Sequence, residues 1–261
     1  GSGAYKVGTI DAGRAITYVR DPNYWGAKPE AGVVVNVGRY NFDQIKYVYY
    51  QNPEVAFEGF KSGEYFFRAE NKARTWSTGY NFPAVKAGMI TKAQIANNNP
   101  VPMQAIVMNL RRPIFQDIRV RQAMTLAYDF EWLNKTMFYG QYERLQSFFH
   151  GSALAATGMP TPQELAVINP LLPDLEPIQR QAVLSDWQAP KSTGDGFNRD
   201  NLLKARELLL QAGFKYQNMK LYQPDGQPAK LEFLSADDKN ARIVLPFLRN
   251  LQRLGFDASF R

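Results

Sequence analysis

The feature that most constrains the fold of this chain is the stretch Asn109–Tyr139. It follows an apolar run, Ala105–Met108, whose composition is typical of a strand. Asp117 is a suitable N-cap, because its carboxylate can accept the unpaired amide hydrogens of a first helical turn. Apolar residues then recur at helical spacing, and they are Val120, Ala123, Met124 and Ala127. The pattern predicts a strand, a turn and a helix that packs on that strand.

Further alternation of strands and helices extends over the rest of the chain. Period-2 patterns predict strands at 5–10, 15–20, 44–50, 65–68, 90–96, 103–108, 231–234 and 256–260. Helical spacing and capping residues predict helices at 52–61, 117–128, 130–139, 201–212 and 239–254, the last with a kink or late start at Pro246. The order indicates an α/β (α+β) fold with a mixed sheet flanked by helices.

Two segments interrupt this alternation. Residues 21–38 are predicted to form a long surface loop. Residues 151–198 are rich in Pro, Gly and small polar side chains, and only short helices are predicted there, near Pro162 and Pro177. We expect this second segment to be an irregular excursion on the outside of one domain that spans residues 1–261.

Composition excludes several classes of protein. The chain has no cysteine, which rules out disulfides and thiol nucleophiles. Its 31 Lys and Arg exceed its 24 Asp and Glu, giving a formal charge of +7. These basic residues are scattered rather than clustered, so we expect no nucleic-acid partner. A hydrophobic content of 45% over 261 residues allows a large core.

Catalytic patterns are missing as well. The sequence contains no G-x-S-x-G, no H-E-x-x-H and no G-x-x-x-x-G-K-[ST]. The single histidine, His150, lies beside two phenylalanines, where a structural role is more common than a catalytic one. Asp237 and Asp238 stand at a predicted helix start, which capping explains. No acidic spacing is typical of a metal site. We therefore expect neither catalysis nor a cofactor nor a metal.

Several motifs resemble those of the family 5 extracellular solute-binding proteins, which serve ABC importers for dipeptides and oligopeptides. Residues 109–129 follow that family's order N-x3-P-x-F-x-D-x-RVRQA-x3-A-x-D. Ala4 stands where proline is usual in the entry motif, and Phe66 where aspartate is usual. Other similar segments are Gly1–Tyr5, Asp21–Gly26, Val55–Phe67, Leu202–Phe214, Pro224–Pro228 and Leu254–Phe256. Residues 40–43, 138–142 and 155–158 are similar to the branch typified by the microcin C importer's binding protein.

The resemblance implies one lobe of a type II, two-lobe periplasmic-binding-protein fold. It implies that the first lobe precedes Gly1 and that an acidic W-x-x-D-Y motif follows Arg261. The function it implies is the capture of peptides or peptide-like solutes and their delivery to ABC permease subunits in the membrane. The full-length protein would carry a signal peptide and act as a periplasmic (extracytoplasmic) monomer.

Three segments are predicted to border the ligand. The first contains Glu70, Asn71 and Trp76, and its carboxylate could pair with a ligand amine. The second is Gln104, on the strand before Asn109. The third is a strand-to-helix turn whose amide hydrogens favour an anion, formed by Ser235, Asp237 and Lys239. Each segment also has an ordinary structural interpretation. The first would be a polar loop, the second a polar residue on an edge strand, and the third a helix cap.

One other class of protein fits the chain, an extracytoplasmic hydrolase acting on peptides or glycans. It would require a catalytic group, and His150 is the candidate. Loss of peptide turnover in His150→Ala would support that class, whereas a neighbourhood of permease and ATPase genes would support import.

Overall fold

The structure, a computed structural model, describes residues 2–27, 38–96, 99 and 101–261. The chain divides into two compact units. Unit 1 comprises residues 1–71 and 82–90, and unit 2 comprises residues 72–81 and 91–261. Part of the predicted loop at 21–38, residues 28–37, lies outside the described residues.

Unit 1 contains a three-stranded antiparallel sheet of β1 (Tyr5–Asp11), β2 (Ala15–Arg20) and β3 (Gln44–Val48), in that order. The sequence predicted all three strands. The β1–β2 turn closes with a hydrogen bond of 3.0 Å from the Arg14 amide to the Asp11 carbonyl. Gly13 has a φ of +75° there, a conformation that a side chain would strain.

The helix α1 (Pro53–Lys61) begins as its capping sequence predicts. Asn52 accepts a hydrogen bond of 2.7 Å from the amide of Glu54, and proline at the first position needs no amide partner. A four-residue helix, α2 (Pro83–Lys86), was not predicted.

The prediction of a strand at 65–68 is wrong. That segment has no regular structure, and it is held by side-chain bonds such as the 2.6 Å bond from the Tyr65 hydroxyl to the Ala56 carbonyl. Phe66 and Phe67 are 96% and 81% exposed. Alternating apolar residues make a strand only where a neighbouring strand supplies the ladder.

Unit 2 contains more helix than strand. Its longest helices are α3 (Ile118–Ala127), α7 (Arg199–Gln211) and α8 (Ala241–Arg253), and a shorter one, α4 (Phe130–Thr136), follows α3. The side chain of Asp117 accepts the Arg119 amide at 2.8 Å, as predicted for a cap. Helix α3 packs against α7 and α8. The apolar residues predicted for its inner face are all buried, at 0–1% exposure, and they are Val120, Ala123, Met124 and Ala127.

Two small sheets complete unit 2. β4 (Lys215–Gln217) and β5 (Lys220–Tyr222) are antiparallel, whereas β6 (Lys230–Phe233) and β7 (Asp257–Phe260) are parallel and joined through α8. Side chains of β6, β7 and α8 share one apolar core with α3 and α7. The α/β (α+β) class is therefore confirmed, with parallel and antiparallel pairs in separate sheets rather than in one.

Two further predicted strands are wrong, those at 90–96 and 103–108, since no described residue in either is in a strand. The side-chain alternation is nonetheless present in the second segment. Ile106 and Met108 pack partly against the core, while Val107 is 87% exposed. This segment is extended in pattern and has no paired strand among the described residues.

The segment 151–198 contains α5 (Pro162–Ile168) and α6 (Pro177–Val183), near the two prolines that predicted them. Its C-terminal end is held against other parts of unit 2 by hydrogen bonds from its backbone amides to side chains. The amide of Ala189 donates to Gln146 at 2.8 Å, and that of Ser192 donates to Glu131 at 2.9 Å. Within the described part of the chain, no helix is long and apolar enough to cross a bilayer.

Candidate ligand-binding site

Glu70 and Asn71 lie at the end of the first stretch of unit 1. The Glu70 carboxylate is 2% exposed and accepts a bond of 3.1 Å from Arg68 Nε. Burial alone would lower the pKa of Arg68, but its hydrogen bonds to Tyr65 and Glu70 raise the pKa above its ordinary value. A ligand amine would therefore compete with a permanently charged guanidinium for Glu70. Asn71 is exposed beside it.

Trp76 lies in unit 2, in the short π-helix Thr75–Gly79. The Lys92 ammonium stands 4.3 Å from the centroid of the indole ring and donates to the Trp76 carbonyl at 2.6 Å. Tyr80 meets the same ring edge-on, with centroids 6.1 Å apart. An ammonium held against two aromatic rings can bind a carboxylate of a ligand, while the rings offer it an apolar surface.

Gln104 is exposed on the extended segment 103–108. No backbone hydrogen bond to or from residues 103–108 occurs within the described chain. Free N–H and C=O groups along an extended segment are what an added strand or an extended peptide pairs with. This segment therefore has the chemistry of a backbone-pairing edge.

Ser235, Asp237 and Lys239 come together in one turn. The Ser235 hydroxyl accepts from the Asp237 amide at 3.2 Å, and Asp237 Oδ1 accepts from the Lys239 amide at 2.9 Å. The Lys239 ammonium lies 3.8 Å from the second carboxylate oxygen of Asp237. The turn precedes a short 3-10 helix (Asp238–Asn240) and α8. The Asp237 carboxylate therefore already accepts from an amide that was predicted to bind an anion. This is the helix-cap alternative given for the turn.

The predicted residues of unit 2 form separate groups. In the described residues, hydrogen bonds and ion pairs join Ser235, Asp237 and Lys239 to one another, and none joins them to Trp76 or Gln104.

Sequence reasoning missed a hollow of about 570 Å³ beside the Trp76 segment. Its lining comes from that π-helix, from α4 and from the loop after α4, and it consists of Ser77, Glu131, Asn134, Lys135, Tyr139 and Gly140. Asn134 fixes the loop, since its amide donates to the Tyr142 carbonyl at 2.7 Å. The one signal in the sequence was Gly140, because glycine favours the positive φ of +71° that it adopts there, whereas Tyr139, at +55°, gave none.

The described groups around His150 do not include a hydrogen-bonded serine–histidine pair. His150 Nε2 is 3.8 Å from a carboxylate oxygen of Glu143. The nearby Ser147 hydroxyl accepts from the amides of Phe149 and Ala156 and makes no hydrogen bond to His150. The serine–histidine bond that a nucleophile would require is not there.

Comparison with solved structures shows the class of fold. A NikA structure from Brucella suis, in complex with Fe(III)-EDTA, superimposes with a TM-score of 0.63 at 19% identity, over all of this chain and 43% of that one. The oligopeptide-binding protein AppA of Bacillus subtilis, in complex with a nonapeptide, gives a TM-score of 0.54 at 18% identity, over all of this chain and 42% of that one. The fold is that of one lobe of a two-lobe binding protein.

The family follows from sequence comparison. The family model for bacterial extracellular solute-binding proteins, family 5 Middle, matches residues 1–261, and the chain belongs to that family. It is 38% identical over 264 residues to "Probable peptide-binding protein YejA" of Agrobacterium fabrum, and 40% identical over 261 residues to YejA of Escherichia coli K12. Each match spans the whole of this chain but only 42% of the relative's length. The resemblance stated from its motifs is confirmed.

Proposed function

We propose that the protein captures peptides or peptide-like solutes outside the cytoplasm and delivers them to an ABC permease. The observation that carries this proposal is the family match over residues 1–261. A relative at 38% identity bears a peptide-binding name, and a fold neighbour was crystallised with a nonapeptide. Because another neighbour holds Fe(III)-EDTA on the same fold, the solute must be argued from the site rather than from the fold.

The described geometry supports a peptide as the solute. Residues 103–108 offer backbone groups that make no backbone hydrogen bond within the described residues, and a peptide main chain is complementary to such an edge. Lys92 on the Trp76 ring offers a cation on an aromatic surface, which suits a peptide carboxylate and its neighbouring side chain. Glu70, Asn71, Ser235, Asp237 and Lys239 are proposed as further contacts.

The proposal includes the whole protein's setting. Residues 1–261 act as a single ligand-binding lobe of a longer, monomeric, periplasmic protein, and the permease subunits lie in the membrane. The protein turns over no substrate in this scheme.

Calorimetric titration with defined peptides, on a chain of the relatives' length, tests the proposal. We expect micromolar binding and a loss of roughly tenfold or more in Trp76→Ala, since buried aromatic contacts dominate binding energies. Trp187→Ala is the matched control, because Trp187 is 52% exposed in the 151–198 excursion. Absence of peptide binding, or peptide cleavage that His150→Ala abolishes, would overturn the proposal in favour of a different solute or of a hydrolase.

A further inference from the structure

A second concave surface lies in unit 2, built from residues that play no part in the proposed solute site. It is a groove of about 940 Å³ between the start of α7, the β4–β5 turn and the end of α8. We call it the arginine groove. Its exposed lining combines three arginines with three large apolar side chains, and these are Arg199, Arg206, Arg253, Phe197, Leu203 and Met219.

The positive charge of the arginine groove is not neutralised locally. Among the described residues, none of the three arginines forms an ion pair with a carboxylate. Arg206 stacks over the Tyr216 ring at 4.9 Å, and Arg253 donates to the carbonyls of Gly196 and Phe197 at 3.2 and 3.3 Å. The lining carboxylate, Asp195, accepts from the amides of Phe197 and Asn198 and keeps its negative charge, so the lining retains two positive charges in excess.

The apolar part of the groove is exposed at a structural cost. Met219 is 89% exposed and has a φ of +63°, next to Asn218 at +48°, in the two-residue turn between β4 and β5. Glycine is the residue that such a turn favours at the second position, and a methionine there is strained. Phe197 is 67% and Leu203 50% exposed in the same groove.

A buried asparagine fixes the position of Phe197. Asn198 is 3% exposed, has a φ of +51° and donates to the Leu126 carbonyl at 2.8 Å. A left-handed residue held by a long-range bond sets the direction of the chain just before α7. Phe197 is thus exposed by a defined backbone geometry rather than by a loose loop.

We propose that the arginine groove docks an acidic segment of a partner protein, with carboxylates on the guanidiniums and an apolar side chain against Phe197, Leu203 and Met219. The cations are all arginines, whose planar donors match carboxylates bidentately. A concave groove with an apolar floor suits a peptide segment better than a flat membrane surface. A second copy of this chain is disfavoured as the occupant, because each copy carries a formal charge of +7.

Fluorescence anisotropy with a short labelled peptide of alternating glutamate and leucine tests this docking on the 261-residue chain. We expect saturable binding that weakens with salt, and none for the peptide with lysine in place of glutamate. The double variant Arg199→Glu/Arg206→Glu should lose roughly tenfold or more in affinity. The double variant Arg111→Glu/Arg112→Glu, at two exposed sites outside the groove and with the same change of charge, should match the wild type.

A second variant separates binding from folding. Met219→Gly removes the strain of the turn, so its melting temperature should rise while its affinity for the acidic peptide falls several-fold. Trp76→Ala should leave this affinity unchanged, which distinguishes docking in the groove from solute binding.

Equal binding of the lysine peptide would overturn the proposal. So would unchanged affinity in both groove variants, or tighter binding to phosphatidylglycerol vesicles than to the acidic peptide.

Discussion

Tyr50 shows how one hydrogen bond changes an ionisation. Its hydroxyl donates to the Glu64 carboxylate, which raises the pKa of Tyr50 to about 12, because the phenolate would lie beside a negative charge. In Glu64→Gln we expect the pKa of Tyr50 to return towards its ordinary value of 10.0. An ultraviolet difference titration against Tyr50→Phe isolates this group among the 14 tyrosines. An unchanged titration in Glu64→Gln would contradict the assignment.

Asn250 is a buried polar side chain with a structural task. It is 5% exposed, and its amide donates to the Ala127 carbonyl at the end of α3, at 2.9 Å. Asn250→Ala would leave that carbonyl unpaired, so we expect a loss of roughly 1–3 kcal/mol of folding free energy. Urea denaturation measures it. The control Arg249→Ala, exposed on the same helix, should change stability by less than about 0.5 kcal/mol.

At this scale the sequence predicted local roles and missed distant ones. Asp117 and Asn52 cap helices as expected, because a cap bonds an amide two or three residues away. Asn198 and Asn250 bond carbonyls 72 and 123 residues away. No local pattern identifies such a partner, so the sequence predicted no role for either buried asparagine.

The start of helix α3 should make its stability depend on pH. The hydrogen bond from the Arg119 side chain lowers the pKa of Asp117, and the bond from the Arg119 backbone amide lowers it further. Burial of the carboxyl opposes this shift. A carboxyl with a lowered pKa stabilises the fold above its ordinary value of 3.8. That contribution is lost as pH falls through the lower, folded value.

The variant Asp117→Ala tests this helix cap. We expect it to cost about 1 kcal/mol at neutral pH, the usual value of a lost cap. The difference from wild type should shrink in acid below pH 3.8, measured by chemical denaturation at each pH. A difference that stays constant down to the acid limit would show that the carboxylate charge contributes nothing.

The extended segment 103–108 should be the least protected part of the apolar centre of unit 2. Its amides make no backbone hydrogen bond within the described chain, although Ile106 and Met108 touch the core. Hydrogen exchange followed by mass spectrometry should show these amides exchanging far faster than those of α3. Adding a peptide ligand should slow the exchange of these amides if the peptide pairs with this segment. Protection equal to that of α3 without peptide would contradict the open edge.

Strand prediction succeeded where a partner strand within this chain supplies the backbone hydrogen bonds. β1 and β2 pair through a turn that Gly13 marks in the sequence. β4 and β5 were missed because each has three residues and their Asn218–Met219 turn lacks the glycine that marks such hairpins. Segment 103–108 has strand periodicity without a strand, since periodicity reports burial and a ladder requires a partner.

For the molecule as a whole, sequence motifs fixed the family and class of fold far better than the site. The family match spans every residue of the chain, whereas the predicted contacts fall into separate groups. Glu70 is engaged by Arg68, and Asp237 caps its own turn. Motifs report helix caps and packing, which are local, while a ligand site depends on groups that are distant in sequence. The relatives are more than twice as long, since this chain covers 42% of each.

The affinity of the 261-residue chain for peptide should therefore be far below that of a chain of the relatives' length. In two-lobe binding proteins the ligand is enclosed from both sides when the hinge closes, and one lobe supplies only part of the contacts. A micromolar complex corresponds to roughly 8 kcal/mol, so losing half of it leaves about 4 kcal/mol, near millimolar. Parallel calorimetric titration of both chains with the same peptides measures this difference. Comparable micromolar binding by both would place the whole site within residues such as Trp76, Gln104 and Asp237, and would refute the single-lobe proposal.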